Sequence, residues 1–478
     1  MSAATHTRAL MRVGVVWACA TALALLTFAG AIARADPGCS ASLPVVAYRA
    51  SSGTPRPVGV ALPAACGVQT GYETSETTLA VSNGGAILLS PGGSENSLAR
   101  SSNRGATWSL VAPASAQLTS LWNTVDPQVA VDRSTGRIFW VHTTYTDELL
   151  LPLPDQSAAA WLAPTAIANA HGFQVYSTPD EGRTWTTADY RNEPTADWEK
   201  LFLGPPPAAG TGAAQPHGYP DVVYVCANAP QEVIGPGRAC YKSLDGGVTF
   251  SSTGYEFPSA TAPPGCPPLA ANTGVVGKDG TVYIPQSCTC GTYLAVSHDE
   301  LASYEWRPVP GAPPANGLGA VVQLAMDRTD NLYLLWSEPD ALRLLISRDG
   351  GHSWGTPLTV SAPGLHHITL SGLAAGARGA VGIVYYASTN PAAETLSGYI
   401  SQTRGALALH PLFVAGAIND PTQPIFKNYG DSYSPRADFV GGTFDAAGTF
   451  WGALVEQLGP PSEANTLTTT GYVGHLAG

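Results

Sequence analysis

Beyond residue 70 the chain alternates between short apolar runs and tight polar turns. The run 78–81 turns at Asn83-Gly84-Gly85 into the run 86–89. Gly, Asn and Asp suit such turns because they tolerate positive φ. The pattern predicts a series of β-hairpins, and further copies occupy residues 128–141, 275–284, 321–336, 370–385 and 439–454.

The runs contain few polar positions, which indicates strands that are buried on both faces. A seventh hairpin is split, because an insert rich in Pro, Gly and Ala separates residues 201–203 from 222–225. We therefore predict an all-β protein, a β-propeller of seven four-stranded antiparallel blades. Six blades are the alternative if one hairpin is accessory. Residues 466–473 or an N-terminal strand near residues 45–48 are expected to complete the last blade.

A second repeat follows most of the hairpins. It has the pattern Ser/Thr-x-Asp/Asn-x-Gly-x-Ser/Thr-aromatic, which predicts a turn: the carboxylate accepts backbone N–H groups, and Gly takes a positive φ. Residues 297–304 depart from the pattern with Leu301 in place of Gly, and residues 401–405 depart further. The clear copies are Ser101–Trp108, Thr178–Trp185, Ser243–Phe250 and Ser347–Trp354.

This pattern resembles the Asp box, or BNR repeat, of the sialidase-like β-propeller superfamily. Residues 197–200, 219–226 and 279–285 are also similar to secreted bacterial exo-sialidase-like proteins. The resemblance implies Asp-box turns between the outer strands of each blade, over about residues 70–478. It implies no reaction, because the repeated residues hold a turn and touch no substrate.

Candidate chemistry lies in the loops that enter the inner strands, since these loops converge at one end of a propeller. Residues at these entries are Tyr72, Glu73, Glu76, Trp122, Asn123, Asp126, Asp197, Trp198, Glu199, Lys200, Asn272, Asn316, His366, His367, Asp431, Tyr433, Arg436 and Asp438. Carboxylates gathered at one site suit sugar hydrolysis. The predicted catalytic set is Asp126, Glu199, Asp431, Tyr433 and Arg436.

Within this set, Tyr433 and Asp431 resemble the nucleophile pair of sialidases, with Asp in place of Glu. Sialidases also clamp the substrate carboxylate with three arginines, the first in an Arg-Ile-Pro segment that this chain lacks. The sialidase residues are therefore not carried across.

No cofactor is predicted. No metal is predicted either, since the turns lack alternating carboxylates, and Cys288 and Cys290 with His298 lack a second matching pair.

The N-terminus has the form of an export signal. Arg8 and Arg12 precede an apolar stretch, and Ala33-Arg34-Ala35 fits a cleavage site. We predict a signal peptide over residues 1–35, an N-terminal extension over 36–70 that includes a closing strand, and the propeller over 71–478. An uncleaved membrane anchor is the alternative.

Seven cysteines follow this segment, and export favours disulfides. The expected pairs are Cys39 with Cys66, Cys226 with Cys240, and Cys266 with Cys288 or Cys290, which leaves one free thiol.

Two functions fit these residues. The first is an extracellular exo-glycoside hydrolase, and the second is a non-catalytic propeller that binds glycan or protein partners at the cell surface. The formal net charge of −12 argues against nucleic-acid binding, which needs a basic footprint. The expected partner is a glycan or another extracellular small molecule or protein, with no membrane span after signal cleavage and with a monomeric chain.

Overall fold

The computed structural model describes only part of the chain, and every structural statement below concerns that part. The chain divides into two units, Met1–Ala35 and Asp36–Gly478, and all described residues belong to the second. Every helix or strand among them is a β-strand, which confirms the all-β prediction. The described residues are 43, 45–59, 64–74, 76–90, 97–113, 127–145, 170–190, 197–208, 213–229, 237–255, 263, 273–315, 322–427, 439–459 and 469–476.

Thirty strands form an N-terminal group and seven blades, numbered I to VII. The N-terminal strands are β1 (Val45–Arg49), β2 (Arg56–Val58) and β3 (Ala65–Gln69). Blade I consists of β4 (Leu79–Val81), β5 (Ile87–Leu89), β6 (Leu98–Ser101) and β7 (Ser109–Val111). Blade II consists of β8 (Gln128–Val131), β9 (Ile138–Tyr145), β10 (Ala170–Thr178) and β11 (Thr186–Tyr190). Blade III consists of β12 (Asp197–Gly204), β13 (Val222–Ala229), β14 (Gly237–Ser243) and β15 (Ser251–Tyr255).

The remaining blades follow in chain order. Blade IV consists of β16 (Val275–Val276), β17 (Val282–Cys288), β18 (Gly291–Ser297) and β19 (Glu305–Pro308). Blade V consists of β20 (Gln323–Met326), β21 (Leu332–Glu338), β22 (Ala341–Ser347) and β23 (Leu358–Thr359). Blade VI consists of β24 (His366–Ala375), β25 (Val381–Ser388), β26 (Ser397–Thr403) and β27 (Leu412–Ala417). Blade VII begins with β28 (Gly441–Phe444), β29 (Phe450–Gln457) and β30 (Thr469–Leu476).

The blades form a closed ring. Within each blade the strands pair antiparallel in chain order. The first strand of each blade is the innermost, because first strands contact one another from β4 through β8, β12, β16, β20, β24 and β28 back to β4. This ring confirms the seven-bladed propeller and excludes the six-bladed alternative.

The N-terminal strands complete the ring in a way that the sequence only partly predicted. β30 is the third strand of blade VII, as expected for the C-terminal run, and β3 pairs with it as the fourth. The segment near residues 45–48 was the wrong choice for the closing strand. It lies in β1, which pairs with β27 and extends blade VI together with β2. At Gly67 a Cβ would lie 2.2 Å from the carbonyl oxygen of Ile418, so the closing strand docks only where a glycine allows this approach.

The core consists of seven apolar layers, one between each pair of neighbouring blades. In β9, Ile138 and Trp140 face blade I, whereas Phe139 and Val141 face blade III. Successive side chains of a strand point to opposite faces, so every position of such a strand is buried. This packing accounts for the almost unbroken apolar runs in the sequence.

The repeated motif forms turns between the third and fourth strands, which we call corner turns (residues 101–108, 178–185, 243–250, 297–304 and 347–354). In blade V, Ser347 Oγ donates to Asp349 Oδ1 at 2.8 Å and accepts from the Gly351 N–H at 2.8 Å. Asp349 also accepts from the backbone N–H and the hydroxyl of Ser353, at 2.9 and 2.5 Å. The corner turn with Leu301 makes the matching bonds, with Leu301 at φ 71°.

The fourth residue of each corner turn contacts the preceding blade. In blades II and IV it is a glutamate, and its salt bridge is called here a blade latch. Glu181 Oε2 lies 2.9 Å from Arg100 Nη2 of blade I. Glu300 Oε2 lies 2.5 Å from Lys242 Nζ of blade III, and the Glu300 side chain is fully buried. The latches therefore bind neighbouring blades at their outer edges.

Where the fourth residue is glycine, its carbonyl oxygen accepts a hydrogen bond from an arginine of the preceding blade. Arg137 Nη1 donates to Gly246 O at 3.0 Å, and Arg307 Nη1 donates to Gly350 O at 2.6 Å. The corner turns thus hold the ring together in addition to shaping each blade.

Four of the described cysteines are in disulfides. Cys226 and Cys240, directly opposite each other on β13 and β14, form the expected bond. Cys66 and Cys288 are also disulfide-bonded, with partners that lie outside the described residues. Cys290 is an exposed free thiol, so Cys288 is the one that pairs. No helix long and apolar enough to cross a bilayer occurs in the described part of the chain.

Candidate functional site

All inner strands begin at the same end of the ring, which we call the mouth. The strands on either side of the long connections, β9 with β10 and β15 with β16, have those ends here. Turns at the opposite end are short, such as residues 132–137 between β8 and β9. Long loops on a rigid scaffold are where binding groups concentrate, so the mouth is the candidate site.

Three side chains close the axis at the mouth, and we call them the axial plug: Trp198, Lys200 and Phe439. Lys200 Nζ lies 4.3 Å from the centroid of the Trp198 ring and 4.1 Å from that of Phe439. The two rings are edge-to-face, with centroids 5.8 Å apart. Trp198 belongs to blade III and Phe439 precedes blade VII, which is not its neighbour in the ring, so the contact crosses the axis.

The plug depends on an irregular strand. Trp198 has φ 60°, and the register of β12 shifts between Asp197 and Lys200. Such a bulge redirects side chains at the end of a strand. Here it places the indole beside the Lys200 ammonium, which is almost completely buried and attracted to both ring faces.

Buried carboxylates accompany the plug. Glu199 is fully buried in β12, and Glu76, with φ 52°, is buried just before β4. Both have interaction partners. Buried carboxylates must be paired or hydrogen-bonded, because desolvating a charge is costly. Glu199 therefore has a structural position beneath the plug, and it has no exposed surface for a substrate.

The structure places one member of the predicted catalytic set. Glu199 lies at the mouth as expected, whereas Asp126, Asp431, Tyr433 and Arg436 lie outside the described residues, and their roles stay predictions. Trp122, Asn123, Asn272, Asn316 and Asp438 also lie outside them. Sequence reasoning missed Phe439, although it directly follows the predicted strand entry at Asp438.

The rim of the mouth on blades V and VI carries partly exposed polar pairs. Arg343 Nε donates to Glu338 Oε2 at 2.9 Å, and Glu338 also accepts from the Trp336 indole N–H at 3.3 Å. His366 Nδ1 lies 3.1 Å from Asp340 Oδ1, while His367 contacts the Pro391 carbonyl oxygen through Nε2 at 2.7 Å. The two adjacent histidines thus have separate partners.

A buried polar network also lies at the mouth end of blade II. His142 Nε2 lies 3.2 Å from Gln174 Oε1, which accepts from the Tyr176 hydroxyl at 2.7 Å. Burial lowers the pKa of His142 from about 6.5 to about 4, against a smaller opposing effect of Gln174. The imidazole is therefore neutral at neutral pH.

In blade VII, burial raises the pKa of Glu456, although Gln69 Nε2 donates to it at 2.8 Å. Among the described residues no group of three His, Cys, Asp or Glu side chains is arranged to hold a metal ion.

No protein-family model and no curated protein matches the chain. Among solved structures, the chain is similar to a protein of unknown function from Dyadobacter fermentans DSM 18053, with 15% identity, 73% of this chain and 94% of that one covered, and a TM-score of 0.43. It is similar to the NanB sialidase from Streptococcus pneumoniae, with 10% identity, 85% and 70% covered, and a TM-score of 0.40. It is also similar to the Aleuria aurantia lectin in complex with Fucalpha1-6GlcNAc, with 11% identity, 75% and 99% covered, and a TM-score of 0.43.

Proposed function

We propose that this protein is an exported Asp-box propeller that binds extracellular glycans at its mouth. The observation that most supports binding at the mouth is the axial plug, because its packed side chains form a rigid surface at the base of the mouth. A ligand therefore meets the plug and the rim and does not enter the axis. Sites whose side chains are already held in place bind well, because binding then costs little conformational entropy.

The rim has the chemistry that sugar hydroxyls need. Arg343 with Glu338 and His366 with Asp340 are partly exposed pairs whose geometry is already set. Charged groups form stronger hydrogen bonds than neutral ones and orient a polar ligand. Tyr72 and Glu73, also partly exposed at the entry to blade I, add an aromatic ring and a further carboxylate.

Export is part of the proposal. The N-terminal segment has the features of a cleaved signal peptide, and the bond between Cys226 and Cys240 suits an oxidising compartment. A mature chain of residues 36–478, made by export to the periplasm of a bacterial host, is the form to test.

The test is a glycan array probed with the mature chain and with three single variants, Glu73→Ala, Glu338→Ala and His366→Ala. We expect the wild type to bind a defined subset of glycans and at least one variant to lose about tenfold in affinity, the effect of removing one charged hydrogen bond. Arg183→Gln, an exposed corner-turn residue of blade II at the opposite end, is the matched control. Equal binding by all variants, or a blank array, contradicts the proposal.

Hydrolysis of a terminal sugar is the second candidate function. The carboxylates predicted at the strand entries favour it, with Asp126 and Asp431 as the pair that glycoside hydrolysis needs and the buried Glu199 as a supporting group. We expect Asp431→Asn and Tyr433→Phe to abolish turnover of a fluorogenic glycoside while glycan binding persists. A panel of glycosides, sialosides included, that the folded mature chain leaves intact would reject this candidate and keep the binding function.

A further inference from the structure

The end of the ring opposite the mouth carries a cluster of arginines, although the chain as a whole has a formal net charge of −12. The cluster lies at blades V and VI and at the outer strands β1 and β2. We call it the arginine face, and its members, all exposed, are Arg49, Arg56, Arg328, Arg348, Arg378 and Arg404.

Hydrogen bonds and close approaches place these residues around one side of blade VI. Arg348 Nη2 donates to Leu407 O at 2.7 Å, and Arg49 Nη1 donates to His410 O at 3.1 Å. Arg378 and Arg404 lie in adjoining turns, since a Cβ at Gly379 would be 3.5 Å from Arg404 O. The Arg328 N–H donates to Gly376 O at 3.0 Å, in the same turn as Arg378. The face is therefore continuous.

The charges on this face are poorly compensated. Arg49 and Arg56 are directly opposite each other on β1 and β2, and like charges in that position destabilise a sheet. Over residues 43–59 and 364–417 the sequence has a single acidic residue, Glu394, which lies between β25 and β26 at the mouth end.

The carboxylates near the face are all engaged in other bonds. Asp327, beside Arg328, accepts from the Gly379 N–H at 2.8 Å, and Asp445 of blade VII accepts from the Thr449 N–H at 2.8 Å and the Trp451 indole N–H at 3.2 Å. Asp330 Oδ2 lies 3.9 Å from Lys278 Nζ, and Asp349 is bonded within its corner turn. An arrangement that costs stability and lacks compensation points to an anionic partner.

An apolar side chain projects from the middle of the arginines. Leu409 is 86% exposed, the highest value among the large hydrophobic residues described, and Leu412 nearby is 39% exposed. Exposed leucines are costly in water, but beside arginines they suit the boundary between lipid headgroups and acyl chains. A soluble polyanion would use the charges and leave Leu409 in water.

We propose that the arginine face docks on an anionic lipid bilayer, with Leu409 inserted below the headgroups. Because the mouth lies at the other end of the ring, docking directs it away from the membrane. The acidic remainder of the chain is repelled by the same surface and reinforces this orientation. The inference does not depend on what the mouth binds.

The test is co-sedimentation of the mature chain with vesicles of equal parts phosphatidylglycerol and phosphatidylcholine, compared with phosphatidylcholine alone. We expect binding only to the anionic vesicles and a steep loss of binding as salt is raised. The variant with Arg378→Gln and Arg404→Gln is expected to bind about 25-fold more weakly, at about fivefold for each charge. Arg183→Gln on blade II removes one exposed charge outside the face and is expected to bind like the wild type.

Leu409→Ser separates a membrane from a soluble polyanion. It is expected to weaken vesicle binding about tenfold and to leave retention on dextran sulfate beads unchanged. Wild-type melting temperatures for all variants show that the fold is intact. Vesicle binding that is equal for Leu409→Ser and the wild type, or equal with and without phosphatidylglycerol, would overturn the proposal.

Discussion

At the scale of single residues, burial decides the chemical state of the groups around the mouth. The His142 ring stacks on Trp140, with centroids 5.2 Å apart, and its pKa falls from about 6.5 to about 4. The group is therefore held neutral in the folded protein, and this links its titration to stability.

The pH dependence follows from the direction of that shift. Because the folded pKa is depressed, the unfolded chain takes up a proton first as pH falls. The contribution of His142 is complete above about pH 6.5 and lost as pH falls towards 4, which is expected to lower the free energy of unfolding by about 3 kcal/mol. Urea denaturation at several pH values would measure it, with His142→Gln as the variant that removes this slope. An unchanged slope in His142→Gln would contradict the assignment.

Lys200 offers a second test at this scale, because the sequence has only four lysines. The side chain of Lys278 is 66% exposed, whereas Lys200 is buried between the other two members of the axial plug. We expect an amine-acetylating reagent to modify Lys278 readily and to leave Lys200 unmodified in the folded protein. Phe439→Ala should make Lys200 reactive while Lys278 is unaffected, as followed by peptide mass spectrometry. Rapid modification of Lys200 in the wild type would show that the axis is open.

The axial plug also shows why the site could be predicted only in part. Glu199 could be placed at the mouth because it directly precedes an apolar run, and this pattern can be recognised in the neighbouring sequence alone. The contact between Trp198 and Phe439 depends on how far apart two blades stand across a ring of seven, which no local pattern encodes. The positive φ of Trp198 has no local signal either, since aromatic residues rarely adopt it.

At the scale of elements, the corner turns show which part of a motif is essential. Residues 297–304 keep the Ser and Asp hydrogen bonds and form the turn without the expected glycine. Leu301 instead fills the layer between blades III and IV, where its burial offsets the cost of positive φ. The degenerate copy could therefore be predicted as a turn, but its packing could not.

The blade latches differ in burial, and this predicts different costs of breaking them. Lys242→Ala leaves the fully buried Glu300 without its cation and is expected to cost about 3–5 kcal/mol. Arg100→Ala is expected to cost about 1 kcal/mol, because Glu181 is partly exposed and keeps its bond to Ser82. Denaturant unfolding of both variants measures the difference. Adding Glu300→Gln to Lys242→Ala should recover part of the loss, and similar costs for the two single variants would argue against the latch in blade IV.

At the scale of the whole molecule, the number of blades could be predicted from the sequence. Each interface between blades needs two apolar strand faces, so every blade leaves an almost unbroken apolar run that can be counted. The closing strand could not be predicted, because β3 and β1 are both five residues long and the sequence of β3, Ala65–Gln69, is less apolar than that of β1. What selects β3 is its fit at the seam between blades VI and VII, where Gly67 approaches the backbone of Ile418.

Closure can be tested with two equivalent substitutions in the N-terminal segment. Gly67→Ala introduces a methyl group that meets a backbone oxygen, and it is expected to lower stability by about 2 kcal/mol or more and to expose the N-terminus to limited proteolysis. Gly59→Ala, where a Cβ has nothing within 4 Å, is expected to melt like the wild type. Equal melting temperatures for the two variants would mean that β3 is not needed to seal the ring.

The pairing of β3 with β30 has a consequence for biosynthesis. β3 leaves the ribosome near the start of translation, and its partner is among the last segments to be made. Until then blade VII lacks a strand, and the layers beside it cannot be sealed. Growing chains should thus be held by chaperones or by the translocation machinery, and a prematurely terminated product should be degraded rather than accumulate as a smaller propeller.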